Sequence, residues 1–176
     1  MIFSRMFRAA KLESALYREL AMDPIAMAQA MAVIVIASLL TVVAVIVWGQ
    51  LFGDVQVGEA IGRGILRMPM SWLLLAVSAF FVGGFMQGPA EKKVDQRHLA
   101  TAIGFAASPA VLNVFLFIPV VNVLVALIVP LWLAIAAAMA VKAVLGVSLA
   151  KGLMAVGPGL LVSIIIGFNV APSGSS

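Results

Sequence analysis

The sequence contains no cysteine, a single histidine and a single tyrosine, and only 10% of its 176 residues are charged. Without cysteine there is no disulfide, no thiol nucleophile and no thiolate-bound metal. A metal site needs three or four ligands, and Glu91, Asp95 and His98 are all that cluster around the lone histidine; no metal and no cofactor is expected. Ionisable residues are also missing from the middle of every long apolar run. Pumps and proton-coupled carriers rely on a buried carboxylate, histidine or base, so that class is disfavoured. No cleavable leader is recognisable, because the first apolar run begins near Ile25 and is too long for a signal core; it is expected to persist as an anchor. No internal repeat points to inverted-repeat transporter architecture.

What the chain does have is apolar surface. Hydrophobic residues make up 64% of it, with a mean hydropathy of +1.20. A soluble domain is closer to half apolar and a quarter charged, and one of this size has too much surface for its volume to hide the excess. The excess must face lipid. The net charge is +4. In a soluble protein that balance would raise nucleic acid as a partner, but here the basic residues flank apolar spans. Headgroups and topology explain them, and no nucleic acid is expected.

The pattern predicts an all-α fold, a polytopic membrane helix bundle of five transmembrane helices plus an amphipathic N-terminal segment at 1–24. On a helical wheel Phe3, Met6, Phe7, Ala10 and Tyr17 share a face, with Ile2, Leu16 and Leu20 beside it, while Ser4, Arg8, Lys11 and Arg18 lie opposite. Such a helix either rests in the headgroup plane or packs on the protein itself. Asp23 is placed to cap the next helix, with Pro24 in its first turn. The transmembrane domain at 25–170 divides into spans at about 26–52, 69–88, 99–118, 120–141 and 152–170. Trp48 marks an interface. The stretch 53–68 reads as a loop with a short interfacial helix, and 142–151 as a short loop. The hinge from Pro89 to His98 is the most hydrophilic segment. The apolar run from Leu99 to Val141 would make a helix roughly 65 Å long, about twice the hydrocarbon thickness, so it must turn back once. Ile118-Pro119 is the best turn, leaving Pro109 and Pro130 as kinks within spans. The tail 171–176 is polar and flexible.

Orientation follows from lysine and arginine. An N-terminus inside the cell leaves Arg5, Arg8, Lys11, Arg18, Lys92, Lys93, Arg97, Lys142 and Lys151 inside, and only Arg63 and Arg67 outside. The positive-inside rule then places the C-terminus outside.

Few residues hint at chemistry. His98 and Ser108 could form a nucleophilic pair only if they touch, and ten helical residues separate them by roughly 15 Å. Asn113 and Asn122 flank the turn at Pro119; they are candidates for a polar groove, or else a turn cap and an interhelical bond. Gly84 with Gly88, Ala100 with Gly104 and Ser163 with Gly167 have helix-packing spacing. Arg8, Lys11, Arg18, Lys92, Lys93, Arg97 and His98 form the candidate cytosolic face for partners.

The order of several blocks resembles the Yip domain family of five-span membrane proteins in its short bacterial form. The blocks are Leu16-Tyr17-Arg18-Glu19-Leu20 before Asp23-Pro24, then Gly104-Phe105-Ala106-Ala107-Ser108-Pro109, Ile118-Pro119, Trp132, and Ala140-Val141-Lys142-Ala143. The resemblance implies a cytosolic N-terminus, five helices and structural roles for Asp23, Pro24, Phe105, Ser108, Pro109, Pro119 and Trp132. It also implies residence in the bacterial cytoplasmic (inner) membrane. Eukaryotic members bind prenylated Rab-type GTPases and partner Yip proteins. This chain departs from them in its short N-terminal segment, so GTPase binding does not carry over.

The expected function is therefore a non-enzymatic membrane scaffold or adaptor, with the lipid bilayer, other membrane proteins or a second copy as partners. The alternative is a small channel, transporter or scramblase-like protein with a polar groove in helices three to five. A reporter fused after Ser176 should be active only on the side of the membrane opposite the N-terminus; activity on the same side would refute an odd number of crossings.

Overall fold

The computed structural model describes residues 2–53, 57–86 and 95–169. Lys92, Lys93 and the tail at 171–176 lie outside the described residues. Every element among those described is helical: α1 (Ile2–Ala10), α2 (Ser14–Met22), α3 (Ala26–Phe52), α4 (Val57–Met86), α5 (Gln96–Ala106), a 3-10 helix (Ser108–Phe117), α6 (Val121–Leu145) and α7 (Leu149–Asn169). Four stretches are long and apolar enough to cross a membrane, namely Ala26–Phe52, Gly64–Met86, Gln96–Phe117 and Val121–Leu145. A further apolar stretch, Leu149–Ile165, is shorter. The chain is thus an all-helical bundle with the character of a membrane protein.

The third crossing is the hub. In its most apolar 18 residues 56% are buried, against 11% in the corresponding part of Gly64–Met86. Residues 101–110 are buried without interruption, because α5 is enclosed by α1, α2, α3, α4 and α6. Asp95 starts it, its carboxylate accepting the Arg97 backbone N–H at 2.9 Å. Pro109 ends it, since its ring clashes with the preceding turn and offers no donor. The Ser108 hydroxyl donates to the Phe105 carbonyl at 2.6 Å, replacing a lost backbone bond. Beyond this point the chain winds as a 3-10 helix. Its steeper rise carries ten residues about 20 Å, so 22 residues complete a crossing.

Several boundaries differ from the sequence expectation. The region 57–68, read as a loop with a short interfacial helix, is continuous with the second crossing. Pro69 sits inside α4, tolerated as prolines are in membrane helices. The third span is a broken helix rather than one kinked at Pro109. The fourth reaches Leu145, and only Gly146 to Ser148 connect it to α7. Gly146 has φ +69°, the left-handed cap for which glycine is suited. Lys142 and Lys151 consequently lie on helices. Residues 2–22 form two helices, because Leu12 at φ 62° reverses the chain between them. The apolar face drawn on one wheel is therefore divided: Met6, Leu16, Tyr17 and Leu20 are buried while Phe3 and Phe7 are exposed.

Close approach holds the crossings together. The core is rich in alanine, including Ala30, Ala79, Ala102, Ala136 and Ala138, and small residues let helix backbones touch in lipid. A Cβ on Gly152 would lie 2.5 Å from the Ala138 carbonyl oxygen, and one on Gly159 would collide with the Leu74 carbonyl. Gly84, in contrast, has no neighbour within 4 Å of an added Cβ among the described residues. Gly159→Ala should lower stability by about 1–3 kcal/mol through overpacking, whereas Gly84→Ala should be neutral or stabilise by up to about 1 kcal/mol through helix propensity. Reversible unfolding in mixed detergent micelles measures both.

Candidate functional site

Two regions of the bundle concentrate polar groups and unusual backbone. The first is the seat of the α1–α2 hairpin. Leu16, Tyr17 and Leu20 are fully buried, and α2 packs against α5 and α6. The C-terminus of α1 leaves carbonyls without helical partners. Tyr17 Oη donates to Ala9 O at 3.0 Å, which also accepts the Leu12 backbone N–H at 2.9 Å, and Trp132 Nε1 donates to Ala10 O at 2.9 Å. At the other end of the hairpin Arg5 pairs with Asp23 and donates to Gln29 Oε1 at 2.7 Å. The Asp23 carboxylate also accepts the Ile25 backbone N–H at 3.0 Å. That bond first, and Arg5 second, hold its pKa below the usual carboxylate range. Asp23 thus orders the turn before α3, although the helix begins three residues later and Pro24 lies in the turn rather than in the helix.

Between the two hairpin helices Arg8 joins both. Its Nε meets Glu13 at 2.7 Å and its two terminal nitrogens meet Glu19 at 2.9 and 3.1 Å, a two-point fork that fixes direction as well as distance. Lys11 lies over the Phe7 ring, 4.4 Å from its centre, and Arg18 is exposed on α2. Arg97, at the start of α5, reaches the Pro24 carbonyl at 3.4 Å, and half-buried His98 follows it. The basic residues of the proposed partner face therefore divide between the hairpin and the α5 end.

The second region is a groove of about 320 Å³ at the opposite end, between α3, the 3-10 helix and α6. Ala44, Trp48, Leu116, Asn122 and Ala126 line it. Asn113 lies one turn deeper and donates to Thr41 Oγ1 at 3.0 Å, while Thr41 donates to the Ala37 carbonyl at 2.8 Å. The turn that closes this end is strained. Val120 has φ 70° and ψ −48°, and the Val121 N–H bonds the Pro119 carbonyl at 2.8 Å across it. That is a γ-turn at positive φ, which is rare and costs a β-branched residue about 1–3 kcal/mol. Pro119, fixed at negative φ, forces the reversal onto its neighbour.

The remaining sequence candidates are structural in their contacts. Phe105, Ser108 and Pro109 are buried at the break in the third crossing. Ser108 follows the end of α5 and His98 lies in its first turn, at opposite ends of that helix. Glu13 and Thr41 were not singled out by the sequence, and the bonding roles of Arg5, Glu19 and Gln29 were not foreseen either. Their partners are distant along the chain or across a reversal, at Leu12, that contains neither glycine nor proline.

Trp132→Phe keeps an aromatic ring but removes part of its volume together with the donor to Ala10. It should cost more than the roughly 1 kcal/mol of the hydrogen bond alone in detergent unfolding, with Tyr17→Phe costing about 1 kcal/mol or less because Ala9 O keeps the Leu12 N–H. No family model, no curated protein and no solved structure matches this chain.

Proposed function

We propose that the protein is a non-enzymatic membrane scaffold of the Yip type, built to hold other membrane proteins, or further copies of itself, in the bacterial cytoplasmic membrane. The observation that carries this reading is how its interior polar groups are used. Ser71 bonds Ser163 at 2.6 Å, Ser78 donates to the Ala155 carbonyl at 2.8 Å, and Trp72 donates to the Ala100 carbonyl at 3.0 Å. Asn113 bonds Thr41, and Trp132 bonds Ala10. Each ties one segment to another. A side chain so engaged fixes geometry and is not poised for proton transfer or nucleophilic attack.

In this reading α7 makes the fifth crossing. Its apolar stretch from Leu149 to Ile165 falls at the lower end of the lengths that span a bilayer. The N-terminus is cytosolic and the C-terminus outside. The contact of Arg97 with Pro24 and the packing of Leu145 over Gly83 put the start of α3, the start of α5 and the ends of α4 and α6 together. Arg5, Arg97, Lys142 and Lys151 gather at that end, and the positive-inside rule makes it cytosolic.

The groove at the opposite end favours a second reading, a lipid-handling protein or small conduit. The 3-10 helix that lends Leu116 to its lining is far longer than the usual three or four residues, the strained turn at Val120 lies just before Asn122, and both are features able to rearrange.

Cross-linking in native membranes followed by affinity purification separates the two. A scaffold should recover the same membrane protein, or a homo-oligomer, in stoichiometric yield. Recovery of the chain alone, together with lipid flip or solute flux in reconstituted liposomes, would overturn the scaffold in favour of the conduit.

A further inference from the structure

The hairpin of α1 and α2 sits deeper than an interfacial segment. Trp132 occupies the middle of α6, ten residues from Lys142, which is about 15 Å along the helix. That distance is half the hydrocarbon thickness of a bilayer. Side chains lean toward the N-terminus of their helix, which on α6 is the end away from Lys142. The Ala10 carbonyl that Trp132 holds is therefore no shallower than Trp132 itself. A second gauge agrees with the first. The α1 helix touches the 3-10 helix, whose first residue, Ser108, lies twelve residues past Gln96, about 18 Å into the third crossing.

Charge accompanies the hairpin to this depth. Arg8 is two residues from Ala10, and Lys11 is the next residue. Arg8, Glu13 and Glu19 keep side-chain exposures of 33%, 40% and 56%, so they face outward from the bundle. A charged side chain at the centre of a bilayer is disfavoured by several kcal/mol unless water and headgroups reach it. Arg8 holds both carboxylates. Among the described residues neither Lys11 nor Arg18 forms an ion pair, so the exposed side of the hairpin is left cationic. Phe3 and Phe7 on the same helix are exposed and apolar, suited to acyl chains beside a thinned patch.

We propose that the α1–α2 hairpin opens a polar notch in the leaflet on its own side of the membrane, into which phospholipid headgroups and water descend, with lipid phosphate meeting Lys11 and Arg18. The notch depends on α6 crossing the membrane and not on the scaffold reading.

The absence of native cysteine gives a clean test. Ala15 is exposed near the buried end of the hairpin, and Leu131 is exposed on α6 at the height of Trp132. Ala15→Cys and Leu131→Cys, each in nanodiscs containing anionic phospholipid, are reacted with a charged, membrane-impermeant maleimide; detergent unfolding checks that both variants are folded. Ala15→Cys should react about a hundredfold faster than Leu131→Cys, the ratio that corresponds to excluding a charge from hydrocarbon. Equal, slow labelling of the two would overturn the notch. The phosphate contact is read separately, by mass spectrometry of phosphatidylglycerol retained on the purified chain. Lys11→Gln with Arg18→Gln should reduce the retained lipid severalfold, and unchanged retention would overturn the assignment of phosphate to these two residues.

Discussion

Hydrocarbon offers a hydrogen-bonding group nothing to bond, and this constraint shapes the molecule more than any single contact. A helix meets it within its own length, but helix ends, prolines and polar side chains must find partners elsewhere in the protein. The break at Pro109 is met by Ser108 on the Phe105 carbonyl. The end of α1 is met by Tyr17 and Trp132. Ser71 and Ser163 satisfy each other across α4 and α7. The packing obeys the same logic, since helices in lipid attract chiefly through contact. Glycine and alanine lie where backbones cross, and the large buried side chains, Tyr17, Phe105, Leu16 and Leu20, gather around the hairpin and α5.

The N-terminal hairpin is therefore part of the core and not an appendage. Its apolar side completes the enclosure of α5, and its carbonyls depend on a tryptophan from the middle of α6. Of its polar pairs, Arg5 with Asp23 ties the hairpin to Gln29 on α3, while Arg8 with Glu13 and Glu19 faces outward. At the opposite end a strained turn at Val120 and the long 3-10 helix border the groove. The two ends differ in kind. One is braced by ion pairs and buried aromatics, and the other holds the backbone in costly geometry.

Much of the architecture was legible because hydrophobic length is a strong signal. The first span matches α3 at both ends, and the reversal at Ile118-Pro119 lies where proline chemistry puts it. The signals that misled were local. Glu59, Arg63 and Arg67 interrupt the apolar pattern of 57–68 and made it read as a loop with an interfacial helix, although Gly64 serves a close contact with Val42. Leu12 carries no turn signal, so the N-terminal reversal was invisible, and with it the pairing of Arg8 across the hairpin. The groove depends on how α3 and α6 each pack against the 3-10 helix between them, and periodicity does not report that, because both α-helices are apolar all round.

Hydrogen exchange of the intact protein in lipid nanodiscs tests the place of the hairpin most directly. Amides of α2 from Leu16 to Leu20 should exchange as slowly as those of α5, since both open only when the core opens. Exchange of α2 at the rate of an isolated surface helix, with α5 still protected, would contradict the account.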